Sequence, residues 1–123
     1  MCNQPINGMD YYQTSDGREF LLVAARNDEA LWVVDLSGKK DTLILPIDFF
    51  AEIKHSTQGC EDYEAMDNAS IEGVAVIDDK LWLINDPWKA VYLNNVKCVQ
   101  NRTHYQMFAP LLFSLPIQTE WFD

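Results

Sequence analysis

Residues 71–93 read IEGVAVIDDKLWLINDPWKAVYL, and this stretch decides the fold. It contains three β-strands in succession, at 71–77, 80–84 and 89–93. β-Branched and aromatic residues fill the runs, while Asp, Asn and Pro sit at the breaks. Asp78-Asp79 makes a two-residue turn, and Asn85-Asp86-Pro87 makes a second turn. Pairing across a two-residue loop is symmetric about it, so 77 faces 80, 74 faces 83 and 72 faces 85. Glu72 is thereby expected to be the cross-strand neighbour of Asn85, with Asp86 one step beyond.

Upstream, apolar runs at 6–12, 19–25, 30–36 and 41–47 form a four-stranded meander separated by polar turns. The second half repeats the first. LVAARNDEALWV at 22–33 aligns without a gap on WLINDPWKAVYL at 82–93, an offset of 60 residues. Ile6-Asn7-Gly8 matches Ile71-Glu72-Gly73, and Leu45-Pro46-Ile47 matches Leu115-Pro116-Ile117. An aromatic pair follows each Pro-Ile: Phe49-Phe50 and Trp121-Phe122. An insertion at 96–106 accounts for the drift in offset.

Repeats of this size with four strands each mark the blades of a β-propeller. A generic β-sandwich with two similar meanders is the other reading. The expectation is an all-β chain forming a single unit over 1–123. It has a first four-stranded antiparallel blade at 6–50, an extended connection at 51–70 and a second blade at 71–123. The one helix candidate is a single turn at 47–54 capped by Asp48. The connection, AEIKHSTQGCEDYEAMDNAS, is polar and acidic. It is either a lid over a propeller mouth or a surface loop.

Two blades cannot close a propeller. A blade is apolar on both faces, as the alternation around Trp32, Val34, Trp82 and Ile84 shows, and each face needs a neighbour. Monomers rarely expose apolar patches beyond a few hundred Å², and a ring takes about four to eight blades. Either the chain is a fragment, or identical chains close the ring. Three two-blade chains give a six-bladed homotrimer, and four give eight blades.

The 123 residues carry 9 Lys and Arg against 19 Asp and Glu, a net charge of −10. This excludes a nucleic-acid surface, which needs clustered basic residues, and leaves cations, cationic partners and small molecules open. The acidity is spread over turns and reads as a soluble, self-repelling surface. No run reaches membrane-spanning length and no basic-then-apolar leader opens the sequence, so a membrane partner is not expected and the compartment stays undetermined. None of the three cysteines, Cys2, Cys60 and Cys98, lies in a CxxC, and an odd count is unlike a secreted disulfide framework. Cys60 and Cys98 both fall in loops, either paired or free.

Residues 71–87 carry Glu72-Gly73 at the start of an apolar hairpin that ends on Asn85-Asp86. This pattern resembles the calcium-dependent six-bladed propellers of the gluconolactonase and paraoxonase type, and still more the esterase-like propellers grouped with phytases. The resemblance implies that Glu72, Asn85 and Asp86 bind a metal in a central channel. In the first repeat Asn7 replaces the Glu, and Ala25-Arg26 replaces Asn-Asp. A three-fold channel would thus show Glu72, Asn85, Asp86, Asn7 and Arg26, three times each. Either these residues bind a cation or ligand, or Arg26 neutralises the carboxylates in a salt-bridged ring. Carboxylate and amide oxygens without His or thiolate favour Ca2+ ahead of Mg2+. Trp88, Tyr63 and Tyr105 lie at turns, either to stack on a ligand at the mouth or to pack over the rim.

His55 and His104 are the available neutral-pH bases, and both lie in the long loops. A Cys60–His55 nucleophile has only sequence proximity behind it. Three functions follow from these residues: a ligand- or cation-binding module, a calcium-dependent hydrolase of lactones or phosphate esters, and a structural or interaction protein or non-functional propeller fragment. No full catalytic set is visible, so binding ranks first.

Overall fold

The computed structural model describes residues 6–25, 29–52, 59–65, 71–86, 98 and 111–123. They form β1 (Ile6–Gln13), β2 (Glu19–Ala25), β3 (Ala30–Asp35), β4 (Leu43–Pro46), β5 (Phe50–Glu52), β6 (Tyr63–Ala65), β7 (Ile71–Ile77), β8 (Lys80–Asn85) and β9 (Leu112–Pro116). A 3-10 helix, Thr119–Phe122, follows β9. The order is β1-β2-β3-β4 in a first antiparallel sheet, β5-β6 in a small hairpin, and β7-β8-β9 in a second antiparallel sheet.

The all-β expectation holds for the described residues, with three departures. First, the strand beside β8 is β9, in register from Lys80↔Pro116 to Ile84↔Leu112. With β7 on its other side, β8 has no room for a third neighbour. The stretch 89–93 lies outside the described residues, and the second sheet shows three strands rather than four. Second, Phe50–Glu52 is a strand paired with Tyr63–Ala65, not a helical turn. Adjacent aromatics there have opposite fates, Phe49 buried and Phe50 exposed, which is the period of a strand. Third, the β7–β8 ladder shifts by one residue near its end.

Up to that shift, the hairpin is as the sequence dictates. Asp78 and Asp79 have φ of 49° and 60°, both left-handed, as a two-residue type I′ loop requires and as Asp tolerates. Ile77 pairs with Lys80 and Val74 with Leu83. Between Ile71 and Gly73 the register slips, so that Ile71 faces Asn85 and Gly73 faces Ile84. Glu72 is the bulged residue and is not the partner of Asn85. The β1–β2 ladder slips at the matching place, between Ile6 and Gly8, leaving Asn7 as the extra residue.

The β3–β4 turn is built on Asp35, whose carboxylate accepts hydrogen bonds from Ser37 N at 2.9 Å and Lys40 N at 3.0 Å. The Ser37 hydroxyl first, and then its amide, hold the Asp35 carboxyl below its ordinary range. The β3–β4 and β8–β9 pairs also end alike. Ile47 N donates to Glu29 O at 2.8 Å, and Ile117 N donates to Asp79 O at 3.0 Å. This accounts for the repeated Leu-Pro-Ile: the residue after each proline closes back on the turn that opens the neighbouring strand.

One face of each sheet builds the core. Phe20, Leu22, Ala24, Leu31 and Val33 come from the first sheet, and Ile71, Leu81 and Leu83 from the second. Val74, Val76, Phe113 and Leu115 pack around them. Each aromatic pair supplies one fully inserted ring. Phe49 meets Phe113 edge-on at 4.9 Å, and Phe122 stacks on Tyr12 at 4.8 Å and leans on Phe20 at 4.7 Å. Cys60 and Cys98 form a disulfide, with their Cα atoms 5.8 Å apart. It joins the connection after the first sheet to the insertion before β9.

Candidate functional site

The two sheets approach most closely at their first strands, β1 and β7. Glycine permits this. A Cβ on Gly8 would lie 2.9 Å from Glu72 O and 3.1 Å from Val74 N. Both contacts are backbone, so neither side can turn away. The bulged residues, Asn7 and Glu72, therefore stand at the meeting of the two strands, one beside Gly8 and the other against it. A carboxylate answers on the next stretch: Asp10 Oδ2 accepts the Val76 N–H at 2.7 Å. This satisfies a donor on the outer edge of β7 that no strand of its own sheet takes up.

Gly8→Ala is expected to destabilise the fold by about 1–3 kcal/mol, the usual cost of forcing an extra methyl into a packed place. Gly73→Ala should cost less, although its Cβ would fall only 2.7 Å from Ile84 Cγ2. That methyl belongs to an exposed side chain and can rotate. Urea unfolding of the two variants checks the order; equal costs would mean that β1 and β7 are free to separate.

Of the six candidate residues, four, Asn7, Glu72, Asn85 and Asp86, lie among the described residues. Asn7 and Glu72 are both half-buried and are brought to the same seam. Asn85 is buried, and its Oδ1 accepts the Leu111 N–H at 2.6 Å while its own N–H donates to Leu111 O at 3.2 Å. It thereby fastens the end of β8 to the approach to β9. Asp86, next in sequence, is exposed. Arg26 and Trp88 lie outside the described residues, as do His55, His104 and Tyr105. Tyr63 is exposed on β6. Among the described residues, no three His, Cys, Asp or Glu side chains gather to hold a metal within one chain.

A different cluster has no motif in the sequence. Arg18 Nη1 and Lys40 Nζ both donate to the carbonyl of Phe122, the lysine at 3.0 Å. Arg18 also pairs with Asp16 at 3.1 Å. The Thr14 hydroxyl, followed by Arg18, holds the Asp16 carboxyl below its ordinary range. A cavity of about 350 Å³ lies beside these residues, lined in part by Arg18, Phe20, Asp35, Ser37 and Lys40. Its two principal cations are engaged in holding the 3-10 turn. Phe122 lies 104 residues from Arg18 and 82 from Lys40, so no local signal links them.

No helix among the described residues is long and apolar enough to cross a membrane. Comparison of the chain with protein-family models, with curated proteins and with solved structures finds no match.

Proposed function

We propose that the chain is a ligand- or cation-binding module of the propeller type, assembled from identical chains, with its site where the first strands of successive sheets converge. The observation that carries this reading is the paired bulge. Two first strands, each opening on Ile-x-Gly and each slipping register at the middle residue, meet at Gly8 and offer Asn7 and Glu72 at one seam. Bulges concentrate beside sites because they re-aim a side chain and end regular pairing. First strands side by side, with the remaining strands stepping outward, are also the arrangement around a propeller axis.

The oxygen donors fit a hard cation such as Ca2+, which takes about six to eight oxygen ligands. One seam supplies a carboxylate and an amide, so a complete shell draws on equivalent seams of a ring or on ligand oxygens. Hydrolysis of lactones or phosphate esters needs a base in addition, and the two histidines, His55 and His104, lie outside the described residues. No full catalytic set is visible in the sequence, which is why binding ranks before catalysis.

The test is thermal melting across a calcium titration. Binding to the native state alone stabilises by RT ln(1 + [L]/Kd), about 2.7 kcal/mol at a hundredfold excess over Kd. A saturable rise in melting temperature is expected, lost in Glu72→Gln. If calcium leaves the melting temperature unmoved and Glu72→Gln melts like the parent, the seam binds no cation.

A further inference from the structure

We propose that the two open sheet faces are complementary halves of one interface, and that a second copy of this chain, stacked head to tail, covers each. The inference builds on the propeller reading above and is independent of any ligand at Glu72.

The open faces are apolar. On the first sheet, Met9, Tyr11 and Ile44 are between 46% and 55% exposed, arrayed around Trp32 in the register Met9↔Val23↔Trp32↔Ile44. The second sheet presents Ile77, Ile84 and Leu112, between 42% and 62% exposed, around Trp82. The Trp32 indole N–H is buried with no acceptor among the described residues. Neither face resembles the scattered single exposures of an ordinary surface.

The packing inside the chain says what fits each face. The matched bulges fix the equivalence of the sheets: Ile6 pairs with Ala25 as Ile71 pairs with Asn85, so Ala25 corresponds to Asn85 and Leu22 to Trp82. Leu22 is in the core, whereas Trp82 is on the open face. Leu81 and Leu83 are in the core, and their counterparts, Leu21 and Val23, lie on the Trp32 face of the first sheet, Leu21 half-buried and Val23 buried at the middle of that face, whose exposed residues are at its margins. The two sheets therefore meet through opposite faces. A two-fold relation would bring equivalent faces together; this relation is a rotation that can be repeated. Its next step places the Trp82 face of one copy on the Trp32 face of the next. Such a heterologous contact continues until a ring closes.

Charge agrees with this pairing. Glu19 and Lys80 are both exposed, on the Trp32 and Trp82 faces respectively. Each opens the second strand of its sheet, so head-to-tail stacking brings them to the same level with opposite sign.

The test uses five forms of the chain in light scattering, with circular dichroism as the check on folding. Wild type should be an assembly, three copies closing six sheets. Ile44→Lys, which blocks one face, and Leu112→Lys, which blocks the other, should each be monomeric. Mixed in equal amounts they should give a one-to-one dimer that grows no further, since each keeps the face the other has lost. Lys80→Glu should weaken the wild-type assembly, and adding Glu19→Lys in the same chain should restore it. A monomeric wild type overturns the proposal, as does either lysine variant keeping the wild-type mass or a dimer formed by one variant alone. An assembled wild type whose melting ignores calcium and Glu72→Gln would sink the binding reading and leave this interface standing.

Discussion

Phe122→Ala should lose about 3–5 kcal/mol, the cost of emptying a buried aromatic site. The ring is only 2% exposed and sits between Tyr12 and Phe20. Its backbone is held as well, by Arg18 and Lys40 on its carbonyl. The site therefore cannot collapse easily around the void, and the cost belongs at the upper end of that range. Against a typical total of about 5–15 kcal/mol, this is enough to unfold a large fraction of the chain at elevated temperature. Phe50→Ala is the control. It removes the same ring from an exposed position and should shift the urea midpoint little. Equal effects would mean that Phe122 is not part of the core.

Reduction of Cys60–Cys98 should be the other large effect. The two residues are 38 apart in sequence. The chain-entropy model assigns a loop of that length about 4 kcal/mol of stabilisation, through the freedom it removes from the unfolded state. The bond has a second task, because it alone ties covalently the two long connections of a mainly two-sheet protein. Cys60→Ser and Cys98→Ser should each lower the melting temperature by a similar amount, and together by no more than one alone, since either removes the whole bond. Two additive losses would show that the cysteines stabilise separately. Disulfides persist in oxidising compartments, so the size of this loss also indicates where the folded chain survives.

The parts of the fold legible in the sequence were those governed by short-range rules. Asp78-Asp79 admits few backbone solutions, so the register from Ile77↔Lys80 to Val74↔Leu83 followed directly. The slip at Glu72 did not follow, because its cause is not local: it accompanies the approach of β1 at Gly8, 64 residues away in sequence. Ile-x-Gly was visible as a repeat, and its meaning as a paired bulge was not. The second neighbour of β8 is not legible in the sequence for a related reason. Both 89–93 and 112–116 are apolar runs, and periodicity cannot choose between two strands of the same character. Asn85 drew attention as a polar residue at a strand end. A polar residue there serves equally well to fasten a backbone, which is what Oδ1 does for Leu111. The Arg18–Phe122–Lys40 junction joins distant segments through a main-chain carbonyl, and a carbonyl has no letter in the sequence.

The prolines that close the two repeats also bear on how the protein avoids clumping. Pro46 ends β4, and Pro116 ends β9, the outer strands of the two sheets among the described residues. A bare strand edge is an invitation to endless ribbon growth, and proline, having no N–H to offer, is one of the ways natural sheets refuse it. Sheets so ended resist lengthening edge to edge into fibrils. Replacing either proline would remove that guard from an edge whose neighbouring residues, Leu43-Ile44-Leu45 in one case and Leu112-Phe113 in the other, are well suited to cross-β stacking.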